Sequence, residues 1–107
     1  MVRRIVAHFA PEKIILFGSH ARGTAGPDSD VDLLIVMSVA GSKRQTAIEI
    51  GVALHDIRIA KDIIVTTPEE FDWRKDVIGT IEWPAWHEGK ILYARPRSRW
   101  PAVSDAR

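Results

Sequence analysis

Two aspartates separated by one residue carry the strongest chemical signal in this sequence. Asp30 and Asp32 flank a valine, and Asp32 lies inside the otherwise apolar run Val31–Val36. Because side chains alternate between the two faces of a strand, both carboxylates are expected on the same face, with Cα atoms about 6–7 Å apart. Carboxylates this close repel each other unless a cation lies between them. Oxygen ligands without His or Cys favour Mg²⁺, which also binds the phosphates of substrates.

A third aspartate begins another apolar run. Asp62 directly precedes the apolar residues 63–65, and an unpaired charge in such a run is energetically costly. If this run lies beside the first one as a strand, Asp62 becomes a third metal ligand. Each acid also has an ordinary explanation, Asp30 as a loop acid and Asp62 as the surface partner of a nearby lysine or arginine. Asp32 is the hardest to explain in that way, because a buried carboxylate needs a partner.

A glycine and a serine follow a short apolar run and have the chemistry of a phosphate-binding turn. Gly18 lets the backbone approach a phosphate closely, and Ser19 adds a hydroxyl donor and, if it starts a helical turn, an N-terminus that favours anions. Arg22 is placed to reach the same phosphates, whereas His20 is expected to be a solvated loop residue. Taken singly, these residues are more often parts of an ordinary turn. The segment up to Thr24 resembles a P-loop, but the lysine of that motif is missing.

Apolar runs indicate the strands that must position these residues. Their β-branched content and short length favour strands over helices. The predicted strands cover Lys13–Phe17, Val31–Met37, Asp62–Val65 and Ile91–Tyr93. The second run is apolar at nearly every position, which is typical of a strand covered on both faces. The polar residues 19–30 between the first two strands indicate a loop with room for one helical turn.

Helices are predicted before and between these strands. The apolar spacing over Val2–Phe9 predicts an N-terminal helix that Pro11 ends. A second helix is expected over Lys43–His55, with Ser42 as its N-cap.

A last helical region is expected after the third strand. Thr67 is its predicted N-cap, and the region continues to about residue 87, before Gly89 stops it. Pro84 predicts an interruption near Trp83. The chain has four tryptophans, of which Trp83 and Trp86 are expected in the core, with the alternative that they form a partner-binding surface.

Composition limits the class of protein. The chain has 107 residues, of which 46% are hydrophobic and 27% charged, as is typical of one globular domain. It contains no cysteine, which excludes disulfides and thiolate metal sites. No stretch resembles a signal peptide or a membrane span, so a cytoplasmic protein without membrane association is expected.

Charge is unevenly distributed along the chain. The formal net charge is +1, but four arginines and a single aspartate follow residue 94, which gives +3 for residues 95–107 and −2 for residues 1–94. We therefore expect a folded domain over residues 1–94 and a basic, flexible C-terminal tail over residues 95–107. The negative charge of the body argues against a nucleic-acid-binding surface.

Two segments together resemble the signature of a known enzyme family. Leu16–Gly23 and Ser29–Val36 contain Gly-Ser, a spacer of ten residues and then Asp-x-Asp. This pattern is similar to that of the DNA polymerase β-type nucleotidyltransferase superfamily, and of its minimal nucleotidyltransferase branch in particular. Asp62 lies where the family keeps its third metal-binding aspartate, and Glu88–Tyr93 resembles the end of the domain. The resemblance covers about residues 1–94.

The resemblance implies an α/β (α+β) fold, with a mixed β-sheet, helices packed on it and the acids at one edge of a cleft. It implies two Mg²⁺ ions held by Asp30 and Asp32, with Asp62 joining one ion and helping to deprotonate the acceptor. Gly18 and Ser19 would hold the triphosphate of ATP, and Arg22 is expected to reach the same phosphates.

The resemblance also implies a reaction and a partner. Members of this branch commonly act as the antitoxin of a toxin–antitoxin pair and transfer AMP to a HEPN-domain ribonuclease. We therefore expect transfer of AMP from ATP to a hydroxyl acceptor on such a toxin. Two alternatives remain open: a nucleotidyltransferase fold that neutralises its partner by contact alone, and a transferase acting on a small molecule such as an aminoglycoside. The lack of room for a second domain weighs against the last one.

Overall fold

The computed structural model describes residues 1–96, so the expected basic tail beyond Pro96 lies outside the described residues. Within this range the chain forms five helices and four strands. In chain order they are α1 (Val2–Phe9), β1 (Lys13–Phe17), α2 (Ser19–Arg22), β2 (Val31–Val36), α3 (Lys43–Ala53), β3 (Lys61–Thr66), α4 (Pro68–Arg74), α5 (Glu82–Glu88) and β4 (Lys90–Ala94). None of the helices in the described part is long and apolar enough to cross a membrane.

The four strands form one mixed sheet in the order β3-β2-β1-β4. Strand β1 is antiparallel to both of its neighbours, β2 and β4, whereas β2 and β3 are parallel. The C-terminal end of β1 therefore lies at the same edge of the sheet as the N-terminal ends of the other three strands. The predicted α+β architecture with a mixed sheet is confirmed.

Helices cover both faces of the sheet. On one face, α1 and α3 pack on alternate strand residues in a core of Ile5, Ile14, Leu33, Ile35, Ile50, Leu54 and Val65. On the other face, α4 and α5 cover a smaller core of Ile15, Leu34, Val36, Phe71 and Ala85. Strand β2 contributes to both cores, which explains its nearly continuous apolar run.

Local signals placed most of the element ends correctly. Ala10 adopts a left-handed conformation (φ 48°) at the end of α1, directly before Pro11. The Ser42 hydroxyl accepts a hydrogen bond from the backbone N–H of Gln45 at 3.1 Å, as expected of a helix N-cap. Thr67 caps α4 in the same way, and Gly89 follows the last residue of α5.

The predicted interruption near Trp83 is wrong. Helix α5 runs through Trp83 and Pro84, and the break between α4 and α5 lies earlier, over residues 75–81. Pro84 is the third residue of α5, where a backbone N–H has no acceptor within the helix, so its missing N–H removes no helical hydrogen bond. The expectation of a core position is wrong for Trp86, which is exposed, whereas Trp83 is half-buried.

A buried polar contact joins the end of β3 to the start of α5. The Thr66 hydroxyl donates to Glu82 Oε2 at 2.7 Å, and both residues are buried. Arg74 Nη1 lies 3.8 Å from the same carboxylate oxygen. A buried carboxylate is tolerated only when it is hydrogen bonded, so Thr66 stabilises the packing of α5 on the sheet.

Thr66→Val removes the hydroxyl donor of Glu82 and keeps the side-chain shape. We expect the free energy of unfolding to fall by about 1–3 kcal/mol, the cost of a buried polar group that loses its partner. Urea denaturation followed by circular dichroism measures this change. The double variant Thr66→Val/Glu82→Met should recover part of the loss, because no buried charge is left without a donor. A double variant less stable than the single one would contradict this account.

Candidate functional site

The three predicted acids lie at one edge of the sheet, on neighbouring strands. Asp32 and Asp62 are paired positions of the parallel strands β2 and β3, and Asp32 also pairs with Phe17 at the end of β1. Asp30 immediately precedes β2 and is close enough for its negative charge to raise the pKa of Asp32. The pairing thus brings the Asp-x-Asp pair and the third acid together, as the strand arrangement assumed from the sequence requires.

Gly18 lies against the Asp32 carboxylate. A Cβ atom built on Gly18 would be 2.2 Å from Asp32 Oδ2, and Gly18 has a φ of 76°, in the region that favours glycine. The sequence suggested that Gly18 admits a phosphate. The structure adds a second reason for glycine, because any side chain at this position would displace Asp32.

Ser19 begins the short helix α2, so the single helical turn expected in this loop is present. The Gly18 carbonyl accepts hydrogen bonds from the N–H groups of Ala21 and Arg22, both at 3.1 Å. The N–H groups of Ser19 and His20 precede the first donors of the turn and have no acceptor within it. The turn ends at Gly23, which has a φ of 75°. Ser19 therefore has its hydroxyl and N–H beside the edge that holds the acids.

Electrostatic coupling joins these acids. Burial raises the pKa of Asp32, and the negative charges of Asp62 and Asp30 raise it further. His20 and Arg22 oppose this effect and lower the pKa of Asp32 when they are positively charged. The raised pKa means that the negative charge of Asp32 is unfavourable in this environment. A cation bound beside Asp32 would stabilise that charge.

Arg22 and His20 are held by contacts of their own. Arg22 Nη1 lies 3.8 Å from Glu88 Oε1, in a half-exposed ion pair that joins α2 to the end of α5. His20 Nε2 lies 3.1 Å from the backbone carbonyl of Ser29, one residue before Asp30. Sequence reasoning had assigned His20 to a solvated loop, because no local pattern signals a contact across nine residues. In the structure, His20 is half-buried and contacts the backbone of the loop that leads to Asp30.

The donor set suits a hard divalent cation. The acids supply only carboxylate oxygens, and two of them, Asp32 and Asp62, stand side by side on strands about 4.8 Å apart. With the side chains as they stand, residues 1–96 contain no group of three His, Cys, Asp or Glu residues close enough to hold a metal ion. Asp30, Asp32 and Asp62 are nevertheless the residues at this edge with the right chemistry for Mg²⁺.

A separate cavity opens near the same edge on the other face of the sheet. It has a volume of about 500 Å³, and its walls are mostly apolar, with Leu16, Val31 and Leu33 from the sheet and Met1 from the N-terminus. Val31 lies between Asp30 and Asp32 in the chain but points to the opposite face, and no carboxylate lines the cavity. The acids therefore face the side of the sheet that α4 and α5 cover, and this cavity lies outside the candidate site.

Comparisons with known proteins agree with this fold. The family model of the nucleotidyltransferase domain matches residues 1–84. A Sulfolobus solfataricus protein of known structure, described as a nucleotidyltransferase, is 25% identical with a TM-score of 0.55, over 88% of this chain and 74% of that one. No curated protein matches the chain.

Two toxin–antitoxin structures share the fold. One, containing AMP-PNP, is 17% identical with a TM-score of 0.57. The other is a mutant of the pair MntA–HpeT, 15% identical with a TM-score of 0.52. Each match covers 88% of this chain and 70% of the other.

Asp32→Asn should stabilise the protein in the absence of metal. A raised pKa means that the charged form of Asp32 is less favourable in the folded than in the unfolded state, so its charge destabilises the fold above that pKa. We expect a higher free energy of unfolding for Asp32→Asn at pH 7 in EDTA, and a difference from wild type that shrinks as the pH falls. Urea denaturation at several pH values measures both. Asp28→Asn, in an exposed loop, is the matched control; a loss of stability in Asp32→Asn would contradict the expectation.

Proposed function

Because the chain belongs to the nucleotidyltransferase domain family, we propose that it transfers AMP from ATP to a hydroxyl group of a partner protein. The convergence of Gly18 and Ser19 with Asp30, Asp32 and Asp62 at one edge of the sheet carries this proposal. A phosphate-binding turn and a set of carboxylates are the two parts that nucleotidyl transfer needs next to each other.

The carboxylates are proposed to hold magnesium. Asp30 and Asp32 would bind two Mg²⁺ ions, and Asp62 would join one of them. Bound there, the ions would neutralise charge on the α-phosphate and on the departing pyrophosphate and would orient the acceptor oxygen. The raised pKa of Asp32 and its position beside Asp62 support this assignment.

The protein residues hold the reactants and move one proton. The Gly18 backbone and the Ser19 hydroxyl bind the triphosphate, and Arg22 adds a positive charge. The acceptor oxygen forms a bond to the α-phosphorus while the bond from that phosphorus to the β-phosphate oxygen breaks, and pyrophosphate leaves. The proton of the acceptor hydroxyl passes to Asp62, whose side chain is exposed.

Two structural relatives support the proposed nucleotide and partner. AMP-PNP, an ATP analogue, is present in one toxin–antitoxin structure of the same fold. The MntA–HpeT mutant replaces two aspartates with glutamate. One residue separates these two aspartates, as it separates Asp30 and Asp32. These relatives support ATP as substrate and a toxin, proposed to be of the HEPN type, as the acceptor, with this chain as the antitoxin.

Ser19→Ala should weaken ATP binding in the presence of Mg²⁺. The variant lacks one hydrogen bond to a charged phosphate, so we expect a loss of about 1–2 kcal/mol, which isothermal titration calorimetry measures. Ser38→Ala, an exposed serine beyond the far end of β2, is the matched control. Equal affinity in Ser19→Ala and wild type would reduce Ser19 to a turn residue.

Mg²⁺ and ATP together should raise the melting temperature of the wild type, because a ligand that binds only the folded state stabilises it. Asp32→Asn should lose this gain, measured relative to its own metal-free melting temperature by differential scanning fluorimetry. A gain as large as that of the wild type would remove Asp32 from the metal site.

Asp30→Ala/Asp32→Ala tests catalysis directly. We expect no transfer of labelled AMP from ATP to the co-expressed toxin, because loss of metal-binding acids lowers the rate by orders of magnitude. The variant should remain folded by circular dichroism and should fail to rescue growth from the toxin. Full rescue by the folded variant would favour neutralisation by contact alone.

A further inference from the structure

The connection between α4 and α5 exposes large apolar side chains. Ile78 is 82% exposed and Trp73 is 59% exposed, and Val77, Ile81 and Trp86 of the same segment are exposed as well. We refer to these five residues as the α4–α5 patch. A short segment that exposes five large apolar side chains, two of them tryptophans, is typical of a protein-binding surface.

The α4–α5 patch is held in one conformation. The Thr80 hydroxyl lies 2.8 Å from the carbonyl oxygens of both Arg74 and Val77, and it accepts a hydrogen bond from the N–H of Trp83. The Arg74 guanidinium lies over the Trp73 ring, 5.1 Å from its centre. A surface ordered before binding loses less conformational entropy on association.

The patch is continuous with the acid site along β3. Ile64 follows Asp62 by two residues, so the two side chains share a face and lie about 6–7 Å apart along the strand. Ile64 also forms one wall of a cavity of about 390 Å³ whose other walls include Gly79, Thr80 and Ile81. A protein seated on the patch is therefore on the same side of the sheet as Asp62 and next to it.

Charge around the patch selects the kind of partner. Three acids of residues 68–82 are exposed, Glu69, Asp72 and Asp76, whereas the two bases, Arg74 and Lys75, are half-buried. A two-fold dimer through the patch would set this acidic border against itself. A partner with an apolar face bordered by lysine and arginine has the complementary charge.

We propose that the α4–α5 patch is the docking surface for the acceptor protein, which presents an apolar face bordered by basic residues. Docking there delivers the acceptor hydroxyl to Asp62 along β3. Contacts at the patch would supply the specificity for the acceptor. This inference rests on the proposed function, whose acceptor it locates.

Ile78→Arg and Trp73→Ala test the docking surface. The probe is the purified HEPN-type toxin proposed as the acceptor, and its affinity is measured by biolayer interferometry without ATP, in the Asp30→Ala/Asp32→Ala background. We expect each substitution to weaken binding about 30-fold, the factor equivalent to roughly 2 kcal/mol at an interface hot spot. Val52→Arg is the matched control, because Val52 is 62% exposed on α3, on the opposite face of the sheet.

Catalytic measurements in the otherwise wild-type chain separate docking from chemistry. Ile78→Arg should raise the KM for the acceptor while leaving kcat and ATP affinity unchanged. Wild-type affinity in both patch variants would overturn the docking inference and leave the proposed function standing. Lost binding in these variants, together with no transfer by the wild type, would keep the docking surface and overturn the catalytic function.

A second copy of the chain is the remaining candidate occupant of the patch. Size-exclusion chromatography with light scattering distinguishes it. A wild-type dimer that Ile78→Arg converts to a monomer with unchanged acceptor binding would assign the patch to a second copy of the chain and overturn the inference.

Discussion

Repulsion between neighbouring carboxylates is the constraint on which the acid-bearing edge of the sheet depends. Asp32 and Asp62 occupy paired positions on two parallel strands, and burial together with the nearby acids raises the pKa of Asp32. The sheet holds this unfavourable arrangement because residues 33–36, which continue β2, are fully buried between the two helical layers. Their burial offsets the cost of the charges. Sites that bind cations or react commonly keep charges in such an arrangement.

The strand order explains why the glycine–serine turn meets these acids. Because β1 runs antiparallel to β2, its last residue lies opposite Asp32, and Gly18 follows immediately. The absence of a side chain at Gly18 leaves the space that the Asp32 carboxylate fills. The turn and the acids are therefore linked by direct contact, and a change in either one displaces the other.

The two faces of the sheet have different roles. The face under α1 and α3 holds most of the core, and its apolar contacts stabilise the domain. The face under α4 and α5 has the smaller core, the buried contact of Thr66 with Glu82, the acids and the exposed α4–α5 patch. Nucleotide and acceptor would thus approach the same side, which leaves the larger core undisturbed.

Much of the fold and of the candidate site was predictable from local sequence. Residue type and spacing identified the strands, the helix caps at Ser42 and Thr67, and the acids, because these signals act within a few residues. The break predicted from Pro84 was wrong because that prediction, too, used only local sequence. Whether a proline interrupts a helix depends on where the helix begins, and the contact of Glu82 with Thr66 helps to set that position.

The sequence by itself determined the residue types and local elements of this protein: a glycine–serine turn after one strand, an Asp-x-Asp pair in the next and a third acid at the start of another. Only the tertiary structure decided that β2 and β3 are parallel neighbours with Asp32 beside Asp62, that Asp32 fills the space at Gly18, and that Trp73 is exposed. Strand pairing and burial depend on contacts between residues far apart in the chain. No local pattern encodes such contacts, because their free energy arises only when the whole core packs together.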